Sequence, residues 1–120
     1  MPNIFGYCRR LFTYRKHERF MVHSNTFVIL SPDKDNEQKA HIIDISLGGV
    51  AFIYEGLQED VESSGILKMI ARNANLGKVN FETVSDRPTH GFYRRRGVKF
   101  NWMVLWVKSD LREFIKSVGI

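Results

Sequence analysis

The sequence predicts an all-β domain with one C-terminal helix, in which six strands form an antiparallel barrel. Three observations carry that expectation. Short runs rich in Val, Ile and Phe recur along the chain with turn signals between them. No helical period intervenes between these runs. Beyond it the period changes: Val104, Val107, Leu111, Phe114, Ile115 and Val118 recur at three- and four-residue steps, which marks one apolar helix face. Evenly spaced short strands with turns between them favour a closed or nearly closed barrel.

Residues 1–14 read as a flexible or partner-docking leader, with Ile4, Cys8 and Leu11 at helical spacing among arginines, and residues 15–120 as the barrel with its helix. The first strand is sought in "FMVHSNTFVIL" (20–30), which ends in the turn-forming "SPDKDNE" (31–37). "KAHIIDIS" (39–46) follows and passes through "LGG" into "VAFIYE" (50–55), a pair that reads as a hairpin or a bulged corner. "GILKMIAR" (65–72) alternates imperfectly, and "NANLG" (73–77) is the next turn. "KVNFETV" (78–84) puts Val79, Phe81 and Thr83 on one face; "SDRPTHG" is then a loop and "FYRRRGVKF" (92–100) the last strand. The helix starts near Trp102 or near Ser109, since "WMVLWV" suits either state, and Gly119 suits its end. Trp102 and Trp106 are expected to anchor the helix by packing.

Composition narrows the function. With 120 residues and 43% hydrophobic content, the chain can bury one core. No apolar run approaches the roughly 20 residues of a membrane-spanning helix, and the N-terminus lacks the order of a secretory signal, so a cytoplasmic location is expected. Cys8 is the single cysteine, and the four histidines show no metal spacing, which argues against a disulfide framework or a metal site. "DKDNE" lacks the central glycine of a calcium loop and reads as a turn. No nucleophile, base or metal pattern stands beside the acidic loop "YEGLQEDVE" (54–62), so no enzyme is expected. The net charge of +5 concentrates in "RRLFTYRKHER" (9–19) and "YRRRGVK" (93–99), which suggests an anionic partner.

Two short patterns offer grips for such a partner. "RKHER" sets Arg15 and Arg19 four apart, ahead of the first strand. An arginine fork can hold a phosphate bidentately, pair with the O6/N7 edge of guanine or stack on a base. "DISLGG" sets Asp44, an acceptor for the N1 and N2 donors of guanine, beside the Ser46 hydroxyl and the permissive Gly48 and Gly49. Taken alone, each pattern is as readily a solvated basic lead-in or a strand corner.

In order, an Arg-x-x-x-Arg leader, an Asp-x-Ser-x-x-Gly corner and "RRRGVKF" on the last strand resemble the PilZ domain family, whose members bind the bacterial second messenger cyclic di-GMP. The resemblance runs from about residue 15 to the end and implies a non-enzymatic receptor. Arg15 and Arg19 would then clamp guanine and phosphate, Asp44 and Ser46 would read a guanine edge, and Gly49 would be a close-approach position. Position 14 departs from the family's usual basic or aliphatic residue; Tyr14 there leaves open whether one ligand or a stacked pair binds. Tyr14, which could stack on a base or pack against the barrel, and Arg94 and Arg96, on one face of the last strand, are candidate secondary ligand contacts; a solvated edge is the equal alternative for the two arginines. Two other readings compete. One is a basic barrel that binds single-stranded nucleic acid through Phe92 and Tyr93; the other is a ligand-free PilZ-like module of a pilus, flagellar or secretion assembly.

Overall fold

The computed structural model describes residues 17–120; residues 1–16, with Cys8, Tyr14 and Arg15 among them, lie outside the described residues. The elements are β1 (Phe20–Met21), β2 (Phe27–Leu30), β3 (Gln38–Ile45), β4 (Gly49–Glu55), β5 (Ser64–Ile70), β6 (Asn75–Pro88), β7 (Tyr93–Phe100) and the helix α1 (Leu105–Val118). All strand pairings are antiparallel. The sheet runs β1-β3-β2-β5-β6-β7-β4, and β4 pairs back to β3, which closes six strands, β2 to β7, into a barrel. The barrel and the C-terminal α-helix, the one α-helix among the described residues, agree with the sequence. The first strand run does not stay whole: β1 and β2 are separated by the turn around Ser24–Asn25.

Alternation decides what fills the barrel. Val50, Phe52 and Tyr54 on β4 point inward, as do Val79 and Phe81 on β6 and Val98 and Phe100 on β7. Leu111, Phe114, Ile115 and Val118 of α1 join the same core. The helix end is pinned by His23, whose N–H donates to the Val118 carbonyl at 3.0 Å, and by the Val22–Gly119 bridge.

Three boundaries differ from the sequence reading. The β5–β6 turn is only Ala71–Ala74, closed by an N–H to carbonyl bond of 2.8 Å. "SDRP" continues β6 rather than forming a loop. Beyond Glu82 this strand pairs with β7 alone, and Pro88 is its last residue, where a missing N–H costs least. The helix starts at Leu105, between the two starts considered.

Trp102 and Trp106 do not anchor the helix. They are 80% and 71% exposed, while the helix packs through its Leu111–Val118 stripe and Met103 supplies the buried side chain of the lead-in. Trp106 follows Leu105 on the outer side of the first turn, so the period that buries Leu111 turns both away from the barrel.

Candidate functional site

Asp44 owes its position to a bulge. Ala40 and Ile42 of β3 point into the core, so strict alternation would bury Asp44 as well. Instead Ile42 pairs with Phe52 and Asp44 with Ala51, leaving Ile43 as the extra residue. The bulge switches parity: Ile45 becomes fully buried and Asp44 comes to the outer face. Its side chain is 13% exposed there, and its Oδ2 accepts a hydrogen bond of 3.0 Å from Arg95 Nη2. Arg19 Nη1 stands 3.9 Å from the same oxygen, with its side chain 42% exposed.

The corner after Asp44 is built by its own small residues. The Ser46 hydroxyl accepts hydrogen bonds from the Gly48 and Gly49 N–H groups, both at 3.1 Å, and its N–H donates to the Gly49 carbonyl at 2.9 Å. Ser46 is nearly buried and holds the turn's shape. Gly49 is a close-approach position toward protein: a Cβ there would lie 2.1 Å from the Val98 carbonyl oxygen of β7. Gly48 meets the lead-in, because the His17 ring would stand 2.6 Å from a Cβ on it. The basic lead-in and the acidic corner therefore touch on one side of the barrel.

Between them lies an open depression of about 410 Å³ on the outer face of β4, β6 and β7. Its floor is small, with Ala51, Gly97 and Ser85 as register partners across the three strands. Arg19, Arg87, Arg95 and Lys99 line it against the single carboxylate of Asp44, so its electrostatic character favours an anion. The volume is in the range of small-molecule sites. A second depression of about 420 Å³, lined by Thr26, Arg72 and Ser117 among others, holds none of the motif residues.

Arg94 and Arg96 do not line this depression. They share the inward face of β7 and converge on Asp86: Arg94 Nε donates to Oδ1 at 2.6 Å and Arg96 Nε to Oδ2 at 2.7 Å. Tyr54 also donates to Asp86 Oδ2. Arg96 is 2% exposed and further donates to the carbonyls of Gln58, Val61 and Glu62 at 2.9, 3.1 and 2.8 Å, which fastens the acidic loop over that end of the barrel. Burial pushes the Asp86 carboxyl up, and the bonds from Tyr54, Arg96 and Arg94 outweigh it, leaving it below the usual value of 3.8. Burial, and then the bond to Asp86, raises the Tyr54 phenol. The arginine that faces the site is Arg95, one residue between the two expected. The alternation of "RRR" was legible, but not which parity faces inward; the signal lay in Val98 and Phe100, which fix the even-numbered face as core.

Arg19, Asp44, Ser46 and Gly49 are thus brought together, joined by His17 from within the Arg-x-x-x-Arg stretch, Arg95 from "RRRGVKF" and Arg87 from β6. Arg15 and Tyr14 lie outside the described residues.

No curated protein sequence matches the chain. The structure is similar to the crystal structure of Escherichia coli YcgR in complex with c-di-GMP, with a TM-score of 0.68 at 17% identity over 86% of this chain and 45% of that one. It is similar to the PilZ domain of the same YcgR with c-di-GMP, with a TM-score of 0.69 at 14% identity over 88% and 92%. The K. pneumonia MrkH–c-di-GMP complex gives a TM-score of 0.70 at 11% identity over 88% and 52%. The chain therefore spans about half the length of the YcgR and MrkH structures and nearly all of the isolated PilZ domain. At these identities the likeness shows the fold. The family profile described as "PilZ domain" matches residues 13–117, nearly the whole chain, and the chain belongs to the PilZ domain family.

Proposed function

We propose that this chain is a receptor domain for cyclic di-GMP and not an enzyme. The observation that carries the reading is the meeting of Arg19 and His17 with Asp44 and the Ser46–Gly49 corner around one cation-rimmed depression. The ligand's chemistry fits: its phosphates suit the arginines, and the N1 and N2 donors of its guanines suit the Asp44 carboxylate. Membership of the PilZ family, and three similar structures with c-di-GMP, support the same ligand.

In this reading Arg15 and Arg19 clamp the ligand from the leader, and Asp44 reads a guanine edge. Ser46 and Gly49 keep the corner in register with β7. Binding orders the leader against the barrel, and a downstream protein recognises the changed surface in the cytoplasm. The signal requires that the ligand favour the ordered state over the other by its own contacts.

Isothermal titration with cyclic di-GMP tests the proposal. Each charge-assisted hydrogen bond contributes about 1.5–3 kcal/mol, so Arg15→Ala or Asp44→Ala is expected to weaken binding about tenfold or more. A folded wild-type sample that gives no heat at high micromolar ligand removes the reading and favours the ligand-free assembly module. Single-stranded nucleic acid binding through the exposed Phe92 and Tyr93 predicts another outcome: affinity that falls steeply with salt and survives Asp44→Ala.

A further inference from the structure

We propose that Arg95 is the positioning residue of the guanine-reading carboxylate: it fixes Asp44 and keeps a positive charge beside it while Arg19 turns to the ligand. The inference rests on the receptor reading above.

The geometry separates the two arginines that face Asp44. Arg19 belongs to the lead-in ahead of β1, is 42% exposed and stands 3.9 Å from Oδ2, beyond hydrogen-bond distance. Arg95 sits in β7, which is paired on both sides by β4 and β6, and donates to Oδ2 at 3.0 Å with its side chain 27% exposed. Among the described residues no hydrogen bond is made to Oδ1, which leaves that oxygen to accept from a guanine. A ligand that draws Arg19 onto its phosphate would strip Asp44 of one cation just as the carboxylate is being covered. An acceptor losing both water and its counter-charge is costly to bury. A second arginine on a rigid strand removes that cost.

The floor of the depression is what permits the contact. Asp44, Ala51, Gly97 and Ser85 form one row of register partners on the outer face, and Ile53, Arg95 and Arg87 form the next. Arg95 must therefore reach across β4 to β3, and the short side chains at Ala51 and Gly97 leave it room. Arg87 lies directly opposite Arg95, a like-charge pairing that Asp44 offsets.

A positioning role predicts coupling rather than a separate contribution. Cyclic di-GMP is titrated calorimetrically into the wild type, Arg95→Met, Asp44→Ala and the double variant, each checked for folding by circular dichroism; Met keeps the apolar stem. Arg95→Met alone is expected to weaken binding about tenfold, but less than about twofold further once Asp44 is already alanine. A second readout is base selectivity. Adenine carries an acceptor at N1, so the preference for cyclic di-GMP over cyclic di-AMP should narrow in Arg95→Met. Additive losses with selectivity kept would place Arg95 on the phosphate itself and overturn the inference, as would an Arg95→Met protein that binds like wild type. If Arg95→Met does not fold, Arg95→Gln takes its place in the cycle. A silent wild type overturns the receptor reading and this inference together, whereas a binding wild type with additive losses overturns this inference alone.

Discussion

Replacing Arg96 with methionine tests the division of labour between the two faces of β7. The side chain is 2% exposed, and it donates to Asp86 at 2.7 Å and to three carbonyls of the 58–62 loop. Removing one partner of a buried ion pair costs roughly 3–5 kcal/mol. Arg94 and Tyr54 still donate to Asp86, and two of the three carbonyl contacts are only partly buried, so their acceptors can turn to water. The lower end therefore applies, about 3 kcal/mol out of a typical total of about 5–15 kcal/mol. With a urea m-value of about 2 kcal/mol/M, the midpoint should fall by about 1.5 M at unchanged slope. Far-UV circular dichroism against urea measures it. A fall of less than about 0.3 M would mean that the network does not hold the loop as described. In the protein that remains folded, cyclic di-GMP affinity should stay near the wild-type value, because Arg96 points away from the depression. A variant with wild-type stability and no affinity would put Arg96 on the ligand, as the sequence alone suggested.

Asp86 also predicts how stability depends on acid. Its folded-state pKa is depressed, so the stabilisation is present above the unfolded value near 3.8 and is lost as pH falls through the folded one. Urea midpoints of the wild type should therefore drop below about pH 4, and Asp86→Asn, already weaker at neutral pH, should show a shallower drop. Gly49→Ala pushes a methyl against the Val98 carbonyl; we expect a loss of about 2–3 kcal/mol, and a thermal midpoint within about 2 °C of wild type would contradict the contact. Trp102 and Trp106 are the only tryptophans, so intrinsic fluorescence should be red-shifted and readily quenched by acrylamide, and Trp106→Ala should change stability by less than about 0.5 kcal/mol. Blue, protected emission would bury them after all.

Much of the architecture was written in local patterns. Alternation in "KVNFETV" and the three- and four-residue steps of the last segment each set an element and its buried face, because side-chain direction follows backbone period. The order of the Arg-x-x-x-Arg and Asp-x-Ser-x-x-Gly patterns named the family before any pairing was known. The boundaries of "SDRP" were misjudged because serine, aspartate and proline signal turns only where no partner strand captures them, and β7 does so here. The tryptophans misled for a related reason: large apolar side chains favour burial on average, but which face of a first helical turn meets the barrel is a matter of docking.

By itself the sequence determined the class of the fold and the family, and it singled out the two candidate grips, since residue types and near-neighbour spacing carry that information. Only the tertiary structure decided which arginine of "RRR" faces Asp44 and that Gly49 is pressed by a neighbouring strand. It also decided that a bulge brings Asp44 out of the core. Strand parity is read relative to partners far along the chain, and one inserted residue at position 43 inverts it, so the pairing has to be known before a face can be assigned.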